Sequence, residues 1–249
     1  MKIIKNVLLS TLVALPLTGL AEEGNTNKVW QSNLSVGATY KNGNSEKSLF
    51  TMNLKGERYG EHNDIINSLY AEYGKTGTPT TPKEQTEGQV RGQSEFRHKF
   101  GDSKLFGGAF AEGRNDEIKD IKFRGKVGPT IGYYFIDKED MKLDASFGLL
   151  YVYERMGTTG EDTYGEYRAA LNYLWNITAK SDFYFNVEYT ADMEEVDERN
   201  SGLLTTGVRS QVYEDLSLFI ELRDEYDNAP AAGVEHNDET VVAGLSYDF

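Results

Sequence analysis

The chain has 249 residues, with 26 Lys and Arg against 40 Asp and Glu, which gives a formal net charge of −14 at pH 7. This acidic balance argues against a nucleic-acid-binding protein, because such proteins normally carry a basic patch. The absence of cysteine excludes disulfides and thiolate metal sites, and the polar composition excludes a bundle of membrane helices, each of which needs about 20 apolar residues.

The first 21 residues have the pattern of a cleaved secretory signal peptide. Lys2 and Lys5 form a basic start, residues 7–17 form a short apolar run, and Gly19 and Ala21 supply small residues before a cleavage site. A membrane anchor is the alternative, but the apolar run is short for a span. We therefore expect residues 1–21 to be removed and residues 22–249 to form the mature domain in a Gram-negative-type envelope.

From residue 30 to residue 249, apolar and polar residues alternate in segments of about 10–14 residues. In the first segment, Leu34 and Val36 share one face, whereas Asn33 and Ser35 share the other. A period of two is typical of a strand with two unlike faces. The segments predict about twelve antiparallel strands in sequence order.

The connections between these strands alternate in length. Short turns are expected at 60–63, 101–104, 137–140, 179–182 and 214–215. Longer polar loops are expected at 76–86, 115–120, 156–162, 194–201 and 228–238. Short periplasmic turns opposite longer extracellular loops are typical of outer-membrane barrels, and this arrangement would place both termini in the periplasm.

Alternation alone does not decide which face is wet, because a soluble β-barrel or sandwich also alternates, with its apolar face inward. Aromatic residues near the strand ends resemble the girdles of membrane barrels. The chain also ends in Tyr247-Asp248-Phe249, which resembles the assembly signal read by the outer-membrane barrel assembly machinery. We therefore predict an all-β, transmembrane up-and-down antiparallel β-barrel in the outer membrane, with a soluble periplasmic β-domain as the alternative.

Several segments resemble a known family. They are Trp30, the strand Leu34-Ser-Val-Gly37, the hairpin Lys41-Asn-Gly-Asn-Ser45 and the closing Gly244-Leu-Ser-Tyr-Asp-Phe249. They are similar to the YdiY-like family of salt-induced outer membrane proteins, a domain of unknown function, over nearly the whole mature chain. The resemblance implies an outer-membrane barrel and, through the family name, a link to salt or osmotic conditions. It implies no catalytic residue and no ligand.

The face expected to line the lumen is rich in charge. The basic candidates lie on strands four to six and are Arg91, Arg97, Lys99, Arg114, Lys122, Arg124 and Lys126. The acidic candidates lie on strands nine and eleven and are Glu188, Asp192, Glu221 and Glu225. A basic wall opposite an acidic wall would orient polar solutes in a narrow, porin-like conduit. Alternatively, the charges pair across the lumen and plug it, leaving a structural envelope barrel.

Other functions have weaker support in the sequence. The three histidines, His62, His98 and His236, have no evident serine partner for an outer-membrane hydrolase, so we expect no enzyme and no catalytic residue. Acidic clusters at 192–198 and 235–239 match no calcium-binding loop, so we expect no metal or cofactor site. The expected partners are outer-membrane lipid and lipopolysaccharide, with loose divalent-cation bridging left open.

Overall fold

The computed structural model describes residues 30–41, 46–78, 80–230 and 235–249. The predicted signal peptide and residues 42–45 of the hairpin noted in the sequence lie outside these residues. The strands are β1 (Gln31–Lys41), β2 (Glu46–Tyr59), β3 (Asn63–Thr78), β4 (Thr81–Lys99), β5 (Leu105–Asp116), β6 (Ile121–Asp137), β7 (Met141–Met156), β8 (Gly160–Thr178), β9 (Ser181–Asp192), β10 (Asn200–Tyr213), β11 (Leu216–Asp227) and β12 (Asn237–Asp248). None of the described residues forms a helix long and apolar enough to cross a membrane.

Each strand pairs antiparallel with its neighbours in sequence, and β12 returns to β1, so the sheet closes into a barrel. This confirms the predicted all-β, twelve-stranded, up-and-down architecture. The β1–β12 ladder is the shortest, with six residue pairs from Asn33↔Asp248 to Ala38↔Ala243. Gly244 makes this closure possible, because a methyl group there would lie 2.1 Å from the carbonyl oxygen of Val36.

The two faces of the sheet are arranged in the opposite sense to a soluble protein. Apolar side chains point outward, as at Val127, which is 55% exposed, and Ile220, which is 62% exposed. Charged side chains point inward, as at Arg97, which is 2% exposed, and Asp64, which is fully buried. The sequence pattern left this choice open, and the described residues contradict the alternative of a soluble domain with an apolar interior.

Exposed aromatic residues form two rings at the strand ends. One ring lies at the end of the barrel that carries Trp30 and Phe249, here called the terminal end, and includes Phe96, Phe100, Tyr133, Phe135, Trp175, Tyr213, Tyr247 and Phe249. The other lies at the opposite end, here called the loop end, and includes Tyr40, Tyr73, Tyr151, Tyr189 and Tyr226. Such rings flank the apolar band of barrels that cross a lipid bilayer.

Most of the expected loops are shorter than the sequence indicates. The expected loop at 76–86 is mainly strand, because β3 continues to Thr78 and β4 starts at Thr81. The sequence pattern missed this extension because its residues are polar on both faces. A hairpin that projects beyond the apolar band of the barrel does not need an apolar face. The longest connections at the loop end are 193–199 and 228–236, between β9 and β10 and between β11 and β12.

Candidate functional site in the barrel lumen

Ion pairs bridge the lumen near its middle. Arg91 on β4 reaches across to β9, where its Nη2 lies 2.5 Å from Oε1 of Glu188. The Nε of Arg91 also donates to Glu112 on β5 at 2.8 Å. Glu188 accepts a second bond, 2.8 Å long, from Arg168 on β8, whose guanidinium stacks 4.0 Å from the ring centroid of Phe110. One carboxylate therefore joins two arginines from opposite walls.

A second set of ion pairs lies towards the loop end. Arg114 on β5 contacts Glu225 on β11 at 2.6 Å, and Lys119, from the turn between β5 and β6, donates to the same carboxylate at 3.0 Å. Lys126 on β6 donates to Glu166 on β8 at 2.6 Å. The pair of Arg114 and Glu225 crosses the lumen from β5 to β11, whereas that of Lys126 and Glu166 connects strands on either side of β7.

The two sets together form what we call the ion-pair layer. Its members are Arg91, Glu112, Arg114, Lys119, Lys126, Glu166, Arg168, Glu188 and Glu225. Burying a charge costs several kcal/mol unless a partner and further hydrogen bonds compensate it. Each of these side chains has an oppositely charged partner, so the layer closes this part of the lumen without leaving any of them unpaired.

A cavity of about 610 Å³ occupies the terminal half of the lumen and extends from the rim at Trp30 and Phe249 to Arg168 and Glu188. We call it the terminal cavity. Its basic lining residues are Lys55, Arg91, Arg97, Lys142, Arg168, Arg209 and Arg223. Its acidic lining residues are Glu57, Glu95, Asp144, Asp182, Glu188, Glu221 and Asp248. The two sets are equal in number, so the cavity is strongly polar but close to electrically neutral.

Arg223 lies between the terminal cavity and a smaller cavity of about 40 Å³ near the loop end, and it lines both. Its guanidinium stacks 4.2 Å from the ring centroid of Tyr70. Among the described residues, the nearest carboxylate oxygen is that of Glu225, 3.6 Å from Nη2, which is beyond hydrogen-bond distance. The side chain of Arg223, which has no close carboxylate partner, is therefore part of the wall between the two cavities.

The structure places most sequence-predicted site residues inside the barrel. Arg91, Arg97, Arg114, Lys126, Asp192 and Glu225 are buried, and Lys99, Arg124, Glu188 and Glu221 are partly buried. Near the terminal end, Arg97 lies 3.2 Å from Asp144 and Lys99 lies 3.1 Å from Asp64. Towards the loop end, Arg124 pairs with Glu154.

The prediction for Lys122 is wrong. Its side chain is about half exposed and pairs with Asp120 in the neighbouring turn at 3.2 Å. The register of β6 against β7 shifts between Ile121 and Phe123, and Ile121 turns inward with 2% exposure. A bulge adds one residue to the alternation, so every residue on its far side changes face.

The expected basic wall opposite an acidic wall is also too simple. Acidic Glu112 lies on β5 beside Arg91, and basic Arg168 lies on β8 beside Glu188. Opposite charges therefore alternate between adjacent strands as well as across the lumen. The transverse field is reduced, because each charge has a compensating partner close to it.

Sequence reasoning missed Arg168, Arg223 and Lys119. Arg168 is in phase with Glu166 on β8, and Arg223 is in phase with Glu225 on β11, so the same alternation could have found both. Lys119 could not be found in this way, because it belongs to a turn that folds into the lumen, where it is 7% exposed.

The histidines lie outside the lumen, and the acidic loops reach it only through Asp192 and Asp238. His62, His98 and His236 are all exposed, and Nδ1 of His98 lies 2.8 Å from Asn63. In the acidic loop after β9, burial disfavours the charge of Arg199, but bonds to Asp162 and Asp192 outweigh it and raise the pKa of the guanidinium. Within the described residues, no group of three or more His, Asp or Glu is arranged to hold a metal ion.

These features define a closed antiparallel β-barrel with an apolar outer surface and an ionic lumen. The chain belongs to the DUF481 family, described as proteins of unknown function, whose model matches residues 34–249. This family agrees with the resemblance to YdiY-like proteins noted from the sequence.

Two solved structures share the fold. The NanC porin aligns with a TM-score of 0.55 and 9% identity, over 87% of this chain and 100% of its own. The COG4313 outer membrane channel from Pseudomonas putida F1 aligns with a TM-score of 0.52 and 8% identity, over 92% of this chain and 100% of its own. At such low identity these likenesses concern the fold alone. No curated protein sequence matches the chain.

Proposed function

We propose that the protein is an outer-membrane β-barrel that forms a narrow, non-enzymatic conduit for small polar solutes or ions, closed here at the ion-pair layer. The observation that carries this proposal is the position of Arg223, which lines both the terminal cavity and the cavity near the loop end. Movement of this side chain would open part of the wall between the cavities, and the neighbouring pairs of the ion-pair layer form the rest of that wall. A polar path closed by charged side chains, one of which lacks a close carboxylate partner, suits a gated conduit.

The membrane location rests on the outer surface of the barrel. Its exposed apolar band and two aromatic rings suit contact with outer-membrane lipid and lipopolysaccharide. In this proposal the terminal end faces the periplasm and the loop end faces outward. The family name adds a link to salt conditions, and ion pairs that hold the lumen closed would weaken as ionic strength rises, to the extent that water reaches them.

A structural envelope barrel is the second candidate. The cross-lumen pairs Arg91–Glu188 and Arg114–Glu225 favour it, because they connect opposite walls and fill the space between them. A barrel that never opens would use these pairs as permanent internal braces.

Planar-bilayer recording separates the two candidates. We expect small conductance steps from the wild type and larger or more frequent steps from Arg223→Ala, because the substitution removes part of the wall between the cavities. Arg124→Glu should shift selectivity towards cations, since it replaces a positive charge in the lumen by a negative one.

Lys180→Ala, at the exposed turn between β8 and β9, is the matched control and should behave as the wild type. Silence from the wild type, Arg223→Ala and Arg124→Glu alike would remove the conduit and leave the structural barrel.

A further inference from the structure

Strand β11 presents three chemically different side chains to the terminal cavity. Phe219, Glu221 and Arg223 all line it, because residues two apart on a strand share a face. Their spacing along the strand sets Glu221 and Arg223 about 7 Å apart at the backbone. The cavity wall therefore carries an apolar surface, an anion and a cation in sequence.

Glu221 and Arg223 lack the close, oppositely charged partners that most charges around this cavity have. The carboxylate of Glu221 accepts a 2.7 Å hydrogen bond from the hydroxyl of Tyr184, a neutral group. Arg223 is 9% exposed, yet its Nη2 has no hydrogen-bond partner among the described residues. A buried guanidinium nitrogen without a partner leaves a donor unsatisfied, which is costly.

The neighbouring charges show the contrast. Arg209 donates to Asp182 at 2.9 Å, and Arg97 donates to Glu95 at 2.9 Å. Those cations are already bonded to carboxylates, so a solute would have to displace a protein partner to reach them. At Glu221 and Arg223, a solute could add bonds without breaking an ion pair of comparable length.

We propose that Glu221 and Arg223 form a binding site in the terminal cavity for a small zwitterionic solute with an ammonium group and a carboxylate. The carboxylate of the solute pairs with Arg223, and its ammonium group pairs with Glu221. The ring of Tyr70 supports the guanidinium from one side, and Phe219 bounds the site next to Glu221. The near neutrality of the cavity disfavours a solute of one sign, because every excess charge would meet as many like charges as opposite ones.

Binding requires the cavity but not conduction, so it can be tested separately from the proposed conduit. Saturation-transfer NMR on the purified barrel in detergent would compare β-alanine with two singly charged probes. Acetate carries only the carboxylate of β-alanine, and methylammonium carries only its ammonium group. We expect β-alanine to bind at least about tenfold more tightly than either, since charge-assisted hydrogen bonds of this kind each contribute about tenfold or more.

Two nearly isosteric variants assign the partners. Glu221→Gln should weaken β-alanine binding by about tenfold and leave acetate binding unchanged. Arg223→Gln should also weaken β-alanine binding by about tenfold but leave methylammonium binding unchanged. Lys180→Gln is the control at an exposed position and should bind as the wild type. Equal affinity for acetate and β-alanine in the wild type, or no binding of any probe, would overturn the inference without needing a variant. Binding by a barrel that is silent in bilayers would support the site while removing the conduit.

Discussion

At the residue scale, Glu188 joins the two arginines of the ion-pair layer nearest the middle of the lumen. It accepts bonds from Arg91 and Arg168, which come from opposite sides of the lumen. Removing one partner of a buried ion pair leaves the other as an uncompensated charge, which costs more than the pair itself contributed. Two arginines would lose their common partner if this carboxylate were neutralised.

We therefore expect Glu188→Gln to lower the free energy of unfolding by about 3 kcal/mol. Urea unfolding of the barrel in detergent or lipid, followed by tryptophan fluorescence, would measure the change. Glu194→Gln, in the exposed loop after β9, is the matched control and should leave stability unchanged. Equal stability of the Glu188 variant and the wild type would show that the lumen hydrates both arginines freely.

At the element scale, alternation predicts a strand well until a bulge or a turn interrupts it. It places Arg124 and Lys126 inside β6 correctly, and it fails at Lys122 because the shift near Ile121 reverses the faces. It also fails to foresee Lys119, since nothing local in a turn sequence reports that the turn folds into the lumen. The strands and their order were therefore predictable, whereas bulges and the path of a turn depend on contacts made after the barrel closes.

The end of β12 is an element whose role can be tested. Phe249 is half exposed at the terminal end, stacks on Tyr247 with ring centroids 6.3 Å apart, and donates its backbone N–H to Ser32 at 2.9 Å. We propose that this exposed aromatic end is read by the outer-membrane barrel assembly machinery. Phe249→Ala should then reduce the amount of assembled barrel in cell envelopes severalfold, as measured by the fraction that resists unfolding in cold detergent.

Tyr213→Ala provides the comparison for Phe249. Tyr213 is also an exposed aromatic residue at the terminal end, but it lies on β10. If both variants assemble equally poorly, the loss of assembly comes from the circle of aromatic residues around the terminal end and not from recognition of the chain end.

At the scale of the whole molecule, the proposed orientation makes opposite ends of the barrel accessible from different sides of the membrane. The chain contains no cysteine, so a single introduced cysteine reports on one place. Asp197→Cys, in the exposed loop between β9 and β10, should react with a membrane-impermeant maleimide on intact cells. Lys180→Cys, at the opposite end, should react only after the outer membrane is permeabilised.

The reverse labelling pattern would show that the barrel has the opposite orientation, and labelling of both residues only after permeabilisation would contradict the outer-membrane location. Measuring both variants in the same cells provides an internal control, because each residue is exposed at its own end and differs from the other only in the side of the membrane that it faces.

Closure of the barrel at β1 and β12 has a consequence for the rate of folding. Neighbouring strands along the chain can pair as hairpins, each at a small cost in loop entropy. The final ladder must instead bring together residues far apart in the sequence, such as Asn33 and Ser246, whose side chains bond at a separation of 213 positions. Only six residue pairs between β1 and β12 compensate for the chain entropy lost in this closure. The joining of the first and last strands is therefore the step expected to be slowest, and until it occurs both strands present unpaired edges to any other chain nearby.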